Sequence, residues 1–403
     1  MFGQDSLNLA VIKVLGIGGG GCNAVNSMIS SNVSSAEFIA VNTDHQALML
    51  SKADRTLQIG ERLTKGLGAG SDPNVGEAAA EESKELIVEA LKGTDLLFIA
   101  AGMGGGTGTG AASVVARIAR ELGILTVAVV TKPFSFEGKV RNENANKGIA
   151  NLKKYVDTLV VIPNDKLLQF LPPQTGMLDA FKVADDMLKQ GVVGIVDLIA
   201  TPSLINLDFA DVNTVMRNQG LAHMGIGRAK GENRIIEAVR QAVSSPLLET
   251  TIEGAKSVIL NITGGKDIML SEINEASVLV QGIIDDSANI IFGATIDETM
   301  NDEIKITIIA TGFSANRSIA DFDTDLAVKP AISFATMNKV DSDVPPLLKD
   351  FEEPKQEEVK VEEEKPIEPE QMTIVETIEE QEKPVEVKKE RELPAFMRKL
   401  FKK

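Results

Sequence analysis

GIGGGGCN (Gly16–Asn23) and GMGGGTGTG (Gly102–Gly110) together hold eleven of the chain's 34 glycines. Each follows a short apolar run of strand composition, Val11–Leu15 for the first and LLFIAA (Leu96–Ala101) for the second, and each opens a helical pattern. Glycine carries no Cβ, so a turn rich in it lets backbone N–H groups face a ligand and lets the ligand come close. A helix N-terminus directly behind adds the positive end of a dipole. One such turn is as readily a tight connection. Two of this density, both after strands, read as paired phosphate cradles for a di- or triphosphate, with Thr107 and Thr109 as hydroxyl donors.

Working outward, Glu37–Val41, Leu125–Thr131 and Thr158–Ile162 are further strand runs, and Ala111–Leu122 and Asp179–Ile199 read as helices. Strand, glycine or asparagine turn, then helix is the pattern of an α/β fold with helices on both faces of a parallel sheet. The expected fold is therefore an N-terminal Rossmann-like parallel-sheet domain over residues 1–178, with a junction helix over 179–201. After Pro202 the runs Val258–Ile262, Ile290–Ile296 and Ile304–Ala310, with a helix at Arg234–Val243, predict a smaller C-terminal α/β domain over 202–317.

The remainder has a different character. Residues 352–392 carry sixteen Glu against seven Lys or Arg, with four Pro, no Gly and no aromatic. Such a segment buries too little apolar surface to offset its ordering entropy, so 318–392 is expected to be a disordered acidic linker. LPAFMRKLFKK (393–403) reverses the trend, pairing Phe396 with Leu400 and Met397 with Phe401 at helical spacing among four basic residues.

Composition excludes several functions. A formal charge of −17 over 403 residues argues against nucleic-acid binding through a basic surface. No apolar run approaches the ~20 residues of a membrane span. One cysteine forms no internal disulfide, which leads to the expectation of a reducing cytoplasm. Two histidines, His45 and His223, supply histidine-based catalysis poorly. Gly16, Gly18 and Gly21 satisfy G-x-G-x-x-G, with Asp44 where a dinucleotide fold keeps a ribose-binding acid. A dehydrogenase, however, leaves GGGTGTG unexplained. The P-loop pattern is absent, and Asn338–Asp341 (NKVD) stands just ahead of the Glu-rich stretch 352–392 without its Walker lysine.

At GGGTGTG (Gly104–Gly110) the chain resembles the tubulin/FtsZ superfamily, and within it the FtsZ family of bacterial cell-division GTPases. The resemblance runs through NTD (Asn42–Asp44), TKGLGAGSDP (Thr64–Pro73), TKPFSFEGKVR (Thr131–Arg141), IPNDKLL (Ile162–Leu168), LDAFKVADD (Leu178–Asp186) and NLDFADV (Asn206–Val212). It implies a self-assembling GTPase that binds GTP/GDP with Mg²⁺ and forms head-to-tail filaments at the division site, on the cytoplasmic face of the membrane. Position by position, it implies that Gly19, Gly20, Gly21, Cys22 and Asn23 cradle phosphates, as do Gly106, Thr107 and Gly108. Asn42 and Asp44 belong to the same site, and Ala69, Gly70 and Ser71 lie near the γ-phosphate. Glu137 and Arg141 hold the ribose region, Phe181 stacks on guanine, and Asn164 and Asp185 read its edge. Cys22, near a helix N-terminus, is expected to have a lowered thiol pKa and to be protected from alkylation by nucleotide.

The glycine turns offer no group to activate water. Asn206, Asp208 and Asp211 offer one: two carboxylates three residues apart at a helix start can orient and polarise a water, and a capping role for either Asp is compatible with that. The resemblance implies that this turn enters the nucleotide pocket of the next subunit. It also implies that Leu393, Pro394, Phe396, Met397 and Leu400 bind membrane-tethering adaptors such as FtsA, so that membrane contact is indirect. The alternative is a non-hydrolysing Rossmann-like nucleotide sensor.

Overall fold

The computed structural model describes residues 10–313, apart from 32, 34, 170, 173, 201–203, 206, 246–251 and 286. Asn206, the acidic linker and the terminal peptide with Leu393, Pro394, Phe396, Met397 and Leu400 lie outside the described residues. The order opens β1 (Ile12–Ile17), α1 (Gly18–Ser30), β2 (Glu37–Asn42), α2 (His45–Met49), β3 (Arg55–Gln58), α3 (Glu61–Thr64), α4 (Pro73–Glu82) and α5 (Lys84–Leu91). Next come β4 (Leu96–Gly102), α6 (Thr107–Glu121), β5 (Leu125–Lys132), α7 (Lys139–Leu152), β6 (Thr158–Pro163), α8 (Asn164–Leu167) and α9 (Met177–Ala200). It closes with α10 (Phe209–Met216), β7 (Gly220–Lys230), α11 (Arg234–Val243), β8 (Ser257–Gly264), α12 (Leu270–Gln281), β9 (Asn289–Ile296) and β10 (Glu303–Thr311).

The strands form one sheet in the order β3-β2-β1-β4-β5-β6-β7-β10-β8-β9, of which β3 to β6 are mutually parallel. Parallel strands are covered on both faces and so lack a polar side. Alternate residues of one strand enter different cores. Leu15, Ile17, Leu97, Ile99 and Val130 pack on the face that also holds Ala111, Val115 and Ile149 of α6 and α7. Val14, Phe98, Val127 and Val129 pack on the other, with Val25 and Met28 of α1 and Leu188, Val192 and Ile195 of α9.

Strand β1 sits between β2 and β4. The chain leaves β1 toward one edge of the sheet and leaves β4 toward the other, which opens a crevice beyond their carboxyl ends where open α/β sheets bind ligands. Both glycine runs follow those two strands.

Helix α9 then travels from this end of the sheet to the opposite one. Its 24 residues span about 36 Å at 1.5 Å per residue. Gly191 lets it lie close on the sheet, since a β-carbon there would come within 2.8 Å of Val129 Cγ1.

The glycine runs are less loop-like than the sequence led us to expect. α1 already begins at Gly18 and α6 at Thr107, four residues before the expected start at Ala111. The first turn of a helix therefore makes up most of the first run and the last four residues of the second. β7 was not anticipated, nor were the short β3 and α12. Gly225 and Gly227 interrupt the apolar pattern of β7 because its backbone lies directly against Ala242 and Ala238 of α11, where no Cβ fits. β7 pairs with β6 in parallel from Thr158↔Gly220 to Val160↔Ala222, and with β10 antiparallel from Glu303↔Lys230 to Ala310↔His223. Beyond it a third core joins α11 and α12 to Val258, Leu260, Ile304, Ile306 and Ile308.

Candidate functional site

The two helix starts meet backbone to backbone across the crevice. A β-carbon on Gly18, whose φ is +72°, would lie 2.7 Å from the Gly108 amide nitrogen; one on Gly20 would lie 3.3 Å from Gly102 Cα. Any side chain at Gly18 would separate the helices. Gly19 and Gly20 are exposed, with open space above Gly19. The first-turn amides of each helix lack a carbonyl partner within that helix, so two sets of N–H donors and two dipole ends converge on one point. That arrangement suits a polyphosphate.

Around this point stand the other residues singled out in the sequence. Ala69 and the turn at 70–72 close over Gly106, whose β-carbon would meet Ala69 Cβ at 2.7 Å and Asp72 N at 3.0 Å. Gly70 and Ser71 both have positive φ, +57° and +63°, and both are exposed. The Asn42–Asp44 turn joins the site from β2. Asn42 Oδ1 accepts from the amides of Thr43 and Asp44, and Thr43 Oγ1 lies 2.7 Å from Thr107 Oγ1 in a buried contact. Asp44 Oδ1 caps α2 by accepting from Gln46 and Ala47, which turns it to a local task where a dinucleotide fold would use its acid on ribose. Thr109 Oγ1 accepts from the Gly104 amide at 2.8 Å and so fixes the second glycine turn. Thr43 lies within the NTD stretch, but nothing in the sequence assigned it a role.

The other wall is built for a flat, polar-edged ring. Phe134, Phe136 and Phe181 form an aromatic cluster, Phe134 edge-on to Phe181 at 5.4 Å. Glu137 Oε1 accepts from the Phe134 amide, and its Oε2 pairs with Arg141 Nε at 3.2 Å. Arg141 backs onto Gly104, whose missing side chain admits the Arg141 carbonyl. Asn164 opens α8 with its side chain buried, and its Oδ1 has no hydrogen-bond partner among the described residues. A buried unsatisfied amide oxygen is costly, and it is the mark of a group awaiting a donor. Asp185 is half-buried on the first turns of α9. Burial pushes its carboxyl up to about 6, and neighbouring Asp186 adds to the rise. Asp186 is tied down by Lys189 at 2.7 Å and by Ser27, whereas Asp185 hydrogen-bonds to no described residue.

Cys22 corrects one expectation. Its side chain is 3% exposed, packs with Ala40 and Leu48, and donates weakly to the Gly16 and Val41 carbonyls. Burial raises the thiol to about 12, the opposite of the lowering expected from a helix N-terminus. Neighbouring Asn23 is exposed at the same end of α1.

The acidic turn stands apart from all of this. Asp208 caps α10, its Oδ1 accepting from the Asp211 amide at 2.8 Å. Ile205 is bridged to Ala294 at the edge strand β9, and Leu207 is buried against Gly293. At its other end α10 is held by Thr158, the first residue of β6, through the Met216 carbonyl. That is the amino edge of the parallel sheet, whereas the glycine turns occupy the carboxyl edge. Among the described residues no group of three His, Cys, Asp or Glu is arranged to hold a metal ion.

Comparison with known proteins agrees with this geometry. Residues 11–172 match the model of the Tubulin/FtsZ family, GTPase domain, and residues 220–314 that of the FtsZ family, C-terminal domain. An empty FtsZ dimer from M. jannaschii is 46% identical over 78% of this chain and 91% of its own, with a TM-score of 0.74. A point mutant of that protein matches at the same identity and TM-score over 94% of its length. CetZ2 from Haloferax volcanii, solved as a GTPγS-bound protofilament, is 19% identical with a TM-score of 0.66, a likeness of fold. With nearly half its residues identical over almost the whole of a solved relative, the chain belongs to the FtsZ family of the tubulin/FtsZ superfamily.

Proposed function

We propose that the chain hydrolyses GTP at a site completed only when two copies meet head to tail, and that the resulting filament serves cell division. The triphosphate lies on the first turns of α1 and α6, under the 69–71 turn. The base sits by Phe181, with Asp185 accepting from guanine N1–H and the exocyclic amine, and Asn164 reading the same edge. Adenine presents no such donor pair, so it leaves the Asp185 carboxylate unpaired and is rejected. Mg²⁺ suits this pocket as a hard cation held by phosphate oxygens and water rather than by a protein cage.

The observation that carries the proposal is the length of α9. Between Asp185, at the base end of the pocket, and Ala200, ahead of the turn bearing Asp208 and Asp211, α9 runs for about 23 Å. Carboxylates that far away cannot polarise a water at their own subunit's phosphate. Supplied by a neighbour, with Asn206 beside them, they can. The M. jannaschii relative, solved as a dimer, supports self-association. The C-terminal peptide then docks on a membrane-tethering adaptor of the FtsA kind, at the cytoplasmic face of the division site.

Phosphate release from GTP and ATP, measured with Mg²⁺ over a protein-concentration series, tests this. GTP-selective release above a threshold concentration is expected; release strictly proportional to protein would put all catalytic groups in one subunit. Asp211→Ala should bind GTP normally yet lose most turnover, and a mixture with a nucleotide-binding variant should recover part of it. Adaptor binding that survives deletion of 393–403 would reject the role of the peptide.

A further inference from the structure

We propose that Thr43 is a positioning residue for the nucleotide phosphates: its hydroxyl donates to Thr107 Oγ1 and thereby aims the Thr107 proton at a phosphate oxygen. The inference rests on the GTP-binding reading above. Thr43 is fully buried, and its Oγ1 lies 2.7 Å from Thr107 Oγ1, its one hydrogen-bond partner among the described residues. A hydroxyl has one proton to give. Were Thr107 the donor, the Thr43 proton would be left without an acceptor in a dry interior, which is the costly arrangement. With Thr43 as donor, both groups are satisfied once Thr107 finds an acceptor outside.

Thr107 is placed to find it. It is the first residue of α6, 9% exposed, and its Cβ stands 3.5 Å from where a β-carbon of Gly18 would be, in the seam between the two helix starts. Thr43 is itself held rigidly, its amide bound by Asn42 Oδ1 at 2.9 Å, while the next residues tie to the 66–67 segment through Asp44↔Leu67 and the His45 amide. The relay therefore spans from the turn that ends β2 to the second phosphate helix. Hydroxyls in series polarise one another, so the bond to phosphate is strengthened from behind.

The test compares GTP and GDP affinity of purified full-length wild type, Thr43→Val, Thr43→Ser, Thr107→Val and the double variant. Thr43→Val keeps the shape and removes the donor; it is expected to bind about five- to tenfold more weakly, as the loss of one neutral hydroxyl–hydroxyl hydrogen bond implies. Thr43→Ser should stay within about twofold of wild type, because it restores the donor. In the Thr107→Val background, Thr43→Val should change affinity by less than about twofold, since the relay has already lost its outlet. Losses that simply multiply, or a Thr43→Val protein with wild-type affinity, would overturn the relay. Should Thr43→Val not fold, Thr43→Cys takes its place: its weak S–H donor predicts an intermediate affinity, and wild-type affinity would overturn the proposal. Wild-type protein that binds no guanine nucleotide would instead overturn the GTPase reading itself.

Discussion

Asp185 gives the sharpest test of how the base is read. In the free protein its carboxyl is raised to about 6, because burial disfavours the charge and Asp186 adds to it. Guanine brings two N–H donors, which favour the ionised form, so binding must lower this pKa and release a proton. The sign follows: affinity is full above pH 6 and falls as pH drops through it, by about tenfold per unit, or ~1.4 kcal/mol. Between pH 7 and pH 5 the loss should approach tenfold, with the released proton measurable by calorimetry in buffers of different ionisation enthalpy. The terminal phosphate of the ligand also titrates near pH 6. The contribution of Asp185 is therefore the difference between wild type and Asp185→Asn, whose amide does not ionise. Asp185→Asn should bind ten- to a hundredfold more weakly at pH 7, from losing a charge-assisted hydrogen bond worth about 1.5–3 kcal/mol, and should show the shallower pH slope. Identical slopes in the two proteins would refute the assignment.

Other perturbations follow from the same geometry. The buried Cys22 thiol, raised to about 12, should resist iodoacetamide at pH 7.5 with or without nucleotide; rapid labelling of the folded protein would show that the α1 end opens. Gly18→Ala places a β-carbon 2.7 Å from the Gly108 amide at φ +72° and should abolish nucleotide binding in filter or fluorescence assays, while destabilising the fold by about 1–3 kcal/mol. Phe98→Ala, in the middle of β4 and fully buried, should cost about 3–5 kcal/mol in urea unfolding. Arg234 is enclosed by Glu272, Asp267 and Asp302 near the start of α11, and holds the Glu272 carboxyl below its ordinary value. The stability it lends Glu272 is present at neutral pH and lost as pH falls below the usual carboxylate range, and Arg234→Met should flatten that part of the acid unfolding curve.

The parallel half of the sheet was legible because its inner strands are buried on both sides and so stand out as apolar runs, two of them, β1 and β4, closed by glycine. β3, with Arg55, Thr56 and Gln58 among its four residues, is an edge strand and carries no such signal. β7 was hidden by Gly225 and Gly227, residues that usually punctuate a strand and here exist to admit a helix. At the site, motifs pointed to residues whose identity is unusual, such as the glycines and Phe181. They could not reveal how a cysteine is solvated, or that Thr43, an ordinary residue in NTD, faces a hydroxyl 64 positions away. Both depend on long-range packing, which leaves no local pattern.

Strand β10 closes the described chain, yet it lies between β7 and β8. During synthesis, then, the two strands flanking it emerge first and wait with open hydrogen-bonding edges until residue 311 has cleared the ribosome. For about four to sixteen seconds, at the usual 5–20 residues per second, some 80 residues from the end of β7 onward are made with that gap unfilled. A fragment stopping short of Glu303 keeps both edges bare for good, and unpaired edges recruit other chains. Premature termination between the end of β7 and Glu303 should therefore yield aggregates, whereas a chain stopped after Phe313 should remain soluble. Such a difference is read directly by pelleting nascent chains released at successive lengths.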